Sequence, residues 1–194
     1  MKKTSIVFGI IFIFAAILLL FGQSVSYTNP DTLKNFLPTF KGFRLGIKDL
    51  ATWTQIEKDK FPMVLRTYYK NNQKVIIKIM DAHYEPLAYR DYYFYVDLKE
   101  KEGGKTDRFS MIKINGENIY IHQKLKQNIV RGIGLIGNRY IVEVAVSPAE
   151  DTSLLAEVME KINFSQLAEI NNPVGFRKMD FRIKPPAPAP RYDE

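Results

Sequence analysis

From residue 4 to residue 22 the chain reads TSIVFGIIFIFAAILLLFG, and residues 6–21 carry no charge, no proline and no strongly polar side chain. A helix that crosses a bilayer needs about 17 to 25 mostly apolar residues, whereas the core of a secretory signal needs only about 7 to 15. The run therefore reads as an uncleaved membrane anchor, with cleavage after the small residues of Ser24-Val25-Ser26 as the alternative. Lys2 and Lys3 flank it on the amino side, and the first charge beyond it is Asp31. The positive-inside bias then keeps the N-terminus cytoplasmic and puts the rest of a single-pass protein on the periplasmic or extracellular side. Residues 27–194 must fold as a separate body beside that membrane.

The chain has 194 residues, 46% of them hydrophobic, which suits one domain with appendages. It holds no cysteine, so disulfides, a thiolate nucleophile and cysteine-ligated metals are excluded. The 28 Lys and Arg exceed the 21 Asp and Glu, giving a net charge of +7. The basic residues are interleaved with acidic ones, as in Glu57-Lys58-Asp59-Lys60 and Lys99-Glu100-Lys101-Glu102. This is a solvated surface, not the one-sided stripe expected of a nucleic-acid binder.

Past the anchor, TNPDTLKNFLP (residues 28–38) predicts a short helix. Asn29 caps it, Pro30 takes the first position where no N–H is needed, Leu33, Phe36 and Leu37 share a face, and Pro38 stops it. It is expected to link anchor to domain. Val75, Ile77 and Ile79 alternate with Ile76, Lys78 and Met80 after an Asn71-Asn72 turn, predicting a strand with one mostly buried face. Asn115-Gly116 lies inside RFSMIKINGENIYIH, and Asn-Gly between alternating stretches is the strongest short hairpin signal. Ser147-Pro148-Ala149-Glu150 has the spacing of a capping box, with Leu154 or Leu155, Val158 and Ile162 following at helical intervals. The Pro-Ala alternation near the C-terminus favours extended polyproline II and cannot build a core. The expected organisation is an anchor (1–26), a linker helix (27–38), an extracytoplasmic α+β domain (39–170) and a Pro-rich tail (171–194).

GIGLIGNRYIVEVAV (residues 132–146) places Gly132, Gly134 and Gly137 in the G-x-G-x-x-G spacing of dinucleotide-binding folds. That fingerprint needs a helix after the glycines, because the helix N-terminus holds the pyrophosphate. Here Tyr140, Val142, Val144 and Val146 alternate with Ile141, Glu143 and Ala145, which is a strand. Gly137-Asn138 therefore reads as the turn of an antiparallel hairpin between residues 129–136 and 139–146, and no nucleotide or other cofactor is expected.

Two clusters carry chemistry worth weighing. In DAHYE, Asp81, His83 and Glu85 lie two apart and would project from one face of a continuing strand; with His122, the only other histidine, they are the candidate metal ligands, against a plain polar strand exit. The segment YEPLAYRDYYFYV holds Tyr84, Tyr89, Tyr92, Tyr93, Phe94 and Tyr95. Its spacing favours a helix with Tyr89, Tyr92, Tyr93 and Val96 on one face, although Phe94, Val96 and Leu98 also alternate as in a strand. Aromatics on every side exceed what one face can bury, which points to a partner-binding surface; Phe176 and Phe181, set among Arg177, Lys178, Arg182 and Lys184 in the tail, are its second contact.

LPTFKGF, LRTYYKNNQKVIIKIMD, IKINGENIYI, GLIGNRYIVEVAV and LLAEVMEKINFSQL appear in that order over roughly residues 37–168. The series resembles a loose group of secreted or membrane-anchored bacterial proteins of unknown function. The group shares Leu-Pro before a Gly-aromatic, an Arg-x-Tyr strand ending in Asp, an I-x-G turn, a G-N-R-Y/F-x-V strand and a closing I-x-(F/L)-x-x-L. The resemblance implies a PsbP- and Mog1-like sandwich: a twisted antiparallel sheet packed with helices, without catalytic residues to transfer. The expected function is a non-enzymatic, membrane-anchored interaction module, an accessory subunit docking on another membrane or envelope protein. A carrier of an apolar ligand and a metal-dependent enzyme are the alternatives.

Overall fold

A computed structural model of the chain describes residues 26–46, 49–83, 85–99 and 104–170; the apolar run 4–22, Tyr84, Phe176 and Phe181 lie outside them. Among the described residues, eight strands form one antiparallel sheet: β1 (Arg44–Leu45), β2 (Leu50–Ile56), β3 (Asp59–Lys70), β4 (Gln73–Asp81), β5 (Asp107–Ile114), β6 (Glu117–Lys124), β7 (Ile129–Ile136) and β8 (Tyr140–Ser147). Their order across the sheet is β1-β3-β4-β8-β7-β6-β5, with β2 sharing the outer side of β3 with β1. The helices are α1 (Pro30–Leu33), α2 (Arg90–Lys99), α3 (Ser153–Glu160) and α4 (Phe164–Glu169). The fold class is α+β, and no described helix is long and apolar enough to cross a membrane.

The hairpins follow from turn chemistry. Asn115 and Gly116 both take positive φ (50° and 87°), as a two-residue turn matched to strand twist requires, and join β5 to β6 in register. The β7–β8 turn falls at the expected place but is one residue longer: Ile136 pairs with Tyr140, so Gly137 (φ 58°), Asn138 (φ 57°) and Arg139 form the turn and Arg139 does not open the strand. At the centre of the sheet Val75, Ile77 and Ile79 face Val146, Val144 and Val142 across β4 and β8, and all six are buried. Full burial of each aliphatic side chain contributes about 1.5 to 3 kcal/mol relative to exposure.

Period two divides the sheet into two faces. On one, α1 lies over β2 and β3 while α3 and α4 lie over β8 and β7, with Leu33, Leu155, Val158, Met159, Ile162, Phe164 and Leu167 all buried in one cluster. On the other, α2 lies over β5, β6 and β7, and a smaller cluster forms around Phe61, Met80, Tyr89, Ile133 and Ile141.

Two local expectations change. The stretch expected to be a linker is part of the domain: Asn29 caps α1 and Pro30 opens it, but Leu33, Phe36 and Leu37 are buried in the main cluster. Pro38 and Leu37 are tied down as well, because the Tyr68 hydroxyl donates to the Pro38 carbonyl and Arg66 to that of Leu37. The capping box at residues 147–150 does not start a helix. Ser147 is still paired with Lys74 in the sheet, and α3 begins at Ser153, where the Asp151 carboxylate accepts the Ser153 N–H at 2.9 Å. The ladder bond to β4 competes for Ser147 and wins.

The G-x-G-x-x-G glycines have packing roles. A Cβ on Gly132 would lie 2.9 Å from Leu155 Cδ2 of α3, and one on Gly134 would lie 2.5 Å from Ile119 Cδ1. Gly137 supplies the turn and lets Ala168 of α4 approach. Strand β7 is bare at these positions so that a helix and a neighbouring isoleucine can close over it.

Candidate functional site

The most connected polar cluster lies where β4 ends and the β7–β8 turn begins. Asp81 and Arg139 are both fully buried. The Arg139 guanidinium forks onto the carboxylate, Nε to Oδ1 at 2.8 Å and Nη2 to Oδ2 at 2.6 Å. The same carboxylate accepts the Thr28 N–H at 2.7 Å and the His83 N–H at 2.9 Å. Four donors fill about all the lone-pair sites a carboxylate has. Arg139 also donates from Nη2 to the carbonyl of Ser26 at 2.7 Å. The Tyr140 phenol donates to the Ile170 carbonyl at 3.0 Å, so its oxygen is left to accept from Thr28 Oγ1 at 2.8 Å. Ser26 is thereby fastened to the buried ion pair, and Ile170 is tied to it only through Tyr140 and Thr28.

Outside this pair sits an aromatic corner. The Tyr27 ring stacks on His83 at 3.8 Å and meets Trp53 edge-on at 5.6 Å and Phe61 at 6.4 Å. His83 has positive φ (50°), which bends the chain out of β4. Burial lowers its imidazole pKa below the usual 6.5, against the opposing pull of Asp81, so the stacked ring is held neutral. Burial likewise raises the Tyr27 phenol.

The candidate metal ligands do not converge. Asp81 is saturated by its four donors, Glu85 is exposed, and His83 stacks on Tyr27. His122 belongs to the row of Arg131, Ala145 and Ile76, five positions along β4 from Asp81 or about 16 Å of strand. There its Nε2 meets Asp107 Oδ1 at 2.7 Å and its ring stacks on Phe109. Among the described residues no three His, Asp or Glu side chains are grouped to hold a metal ion. The Asp107 carboxyl is held below its usual range by the Thr106 hydroxyl and by His122.

The tyrosine segment is helical, yet its rings are mostly turned inward. Tyr89 is buried, and its hydroxyl donates to the Asn138 carbonyl at 2.9 Å. Tyr92, Tyr93 and Tyr95 are half-buried, with Tyr92 against Tyr120, Tyr93 against Tyr89 and Tyr95 against His122. Burial raises the phenols of all three. Phe94 alone of the α2 rings is exposed, at 55%. The other large exposed apolar side chains are Leu45 (57%) on β1, Leu50 (49%) and Trp53 (47%) on β2, and Met111 (37%) on β5. Strand β2, LATWTQI, carries no charge and pairs on one side only among the described residues, whereas the opposite edge, β5, reads DRFSMIKI with three charges. Charges guard sheet edges against pairing, so the two edges differ in what they permit.

A groove of about 500 Å³ opens at the far end of the sheet, lined by Lys70, Gln73, Glu150, Asp151 and Glu157 among others. It is open and charged, unlike the apolar cavity a carrier needs.

Comparison with family models, with curated proteins and with solved structures finds no match to this chain. Fold and site together define an α+β domain with a buried Asp81–Arg139 ion pair at one end of an antiparallel sheet, next to an uncharged edge.

Proposed function

We propose that the chain is a membrane-anchored extracytoplasmic interaction module that docks on another membrane or envelope protein. Residues 4–22 span the bilayer, and the α+β domain is a sandwich of the PsbP and Mog1 kind, a reading supported by helices on both faces of one antiparallel sheet. The observation that carries the docking role is the β1–β2 edge. Strand β2 carries no charge and is paired on one side only among the described residues, and Leu45 and Leu50 stand exposed at this edge, one on each face of the sheet. Such an edge accepts an extended segment of a partner as a further strand, with main-chain bonds giving affinity and side-chain contacts giving specificity. This moves the docking surface from the tyrosine helix to the opposite side of the molecule.

The test is purification of the full chain from mild detergent, with wild type and Leu50→Lys compared. A stoichiometric partner should accompany wild type and weaken by about 1 to 2 kcal/mol or more in the variant, with the thermal midpoint unchanged. Retention of the same partner by Leu50→Lys at wild-type strength would remove the edge from the account.

A further inference from the structure

Trp53 is the single tryptophan of the chain, and it stands about half exposed on an edge strand. It pairs with Pro62, next to Met63, whose partner Met80 adjoins Asp81. It therefore lies at the end of the sheet where the chain arrives from residues 4–22. Tyr27 is edge-on to it, and Tyr27 is fixed by its neighbours, since the Ser26 carbonyl and the Thr28 N–H both bond the buried Asp81–Arg139 pair.

Geometry limits how far this corner can be from lipid. A helix over residues 4–22 is about 28 Å long, close to the roughly 30 Å of bilayer hydrocarbon, so residue 22 ends at its boundary. From residue 22 to Tyr27 the chain can extend at most about 18 Å. Tyrosine and tryptophan combine an apolar ring with one polar atom and gather at the level of the lipid headgroups. The surrounding charges, Glu57, Lys58, Asp59, Lys60 and Glu85, are mixed in sign and neither draw the corner strongly to an anionic surface nor hold it off.

We propose that the Tyr27–Trp53 corner seats in the headgroup–acyl boundary of the bilayer that anchors residues 4–22, so that the domain rests on the membrane instead of hanging from a free tether. This rests on the reading of residues 4–22 as a span. It orients the domain: the β2 edge stands beside the bilayer, within reach of a partner that is itself embedded there.

Because Trp53 is the sole tryptophan, its emission reports this one position. The full chain is reconstituted in phosphatidylcholine vesicles, floated on a density gradient, and compared in plain and brominated phosphatidylcholine. Flotation with loss of Trp53 emission in brominated lipid, and with protection from aqueous iodide, is the expected result. Flotation with emission quenched by iodide and untouched by bromine keeps the span but overturns the seated corner, leaving Trp53 to water or to a protein partner. Failure to float with the vesicles removes the span and the proposal with it.

Discussion

On one face of the sheet, α1, α3 and α4 seal Val75, Ile77, Ile79, Val142 and Val144 completely, whereas on the other a single helix, α2, covers β5 to β7 with tyrosines that stay half wet. The sheet is the same; the strands covered and the residues laid over them are not. Mostly aliphatic side chains from three helices close the sealed face, and β7 lacks a Cβ at Gly132, where Leu155 and Met159 of α3 approach. Tyrosines cover more area per residue and tolerate a wet rim, so one short helix suffices for the second face. Counting aromatics against half a helix surface predicts exposed tyrosines on α2. The rings instead spread sideways over the sheet and over one another, Tyr92 onto Tyr120 and Tyr95 onto His122, which leaves only Phe94 outside.

The sharpest way to break the sealed face is at its polar end. Arg139→Met leaves Asp81 buried without its counter-ion and should cost about 3 to 5 kcal/mol in urea unfolding. Adding Asp81→Leu should return much of that loss, because removing both charges removes the uncompensated one. A double variant no more stable than the single would show that the bonds to Ser26 and Thr28 matter more than the charge. Next in size is Gly134→Ala, whose Cβ meets Ile119 Cδ1 inside the sealed cluster; about 1 to 3 kcal/mol of destabilisation is expected. Ile119→Val deletes the clashing atom, so it should suppress the effect of the alanine in a double-mutant cycle. The smallest effect belongs to the open side. Phe94→Ser should shift stability by no more than about 0.5 kcal/mol, and a larger loss would mean that α2 is packed on both flanks.

Much of the framework is legible in the residues. Asn115-Gly116 and Gly137-Asn138 dictate hairpins because their backbones accept positive φ, and the Val/Ile alternation of β4 and β8 dictates a buried face. The quoted motifs also turn out to be joined: Arg66 and Tyr68 bond the carbonyls of Leu37 and Pro38, and the Asp that ends β4 pairs with the Arg of GNRY. Arg139 was in view as a motif residue, but a partner 58 positions away cannot be read from spacing. Nor can the candidate metal set: Asp81 and His122 look equally available in the chain, while the sheet separates them by five rows.

By itself, then, the sequence determined the strand β4, the hairpins β5–β6 and β7–β8, and that an apolar run stands ahead of the folded part, since these depend on local torsional preference and on hydrophobic period, whereas β1, β2 and β3 were not legible in it. Only the tertiary structure decided that Leu33, Phe36 and Leu37 belong to the core, that Asp81 is saturated by Arg139, Thr28 and His83 together, and that most of the exposed large apolar side chains lie on β1 and β2, with Phe94 alone of the helix rings outside. Those outcomes are set by contacts between residues far apart in the chain, whose energies depend on which surfaces the fold brings together.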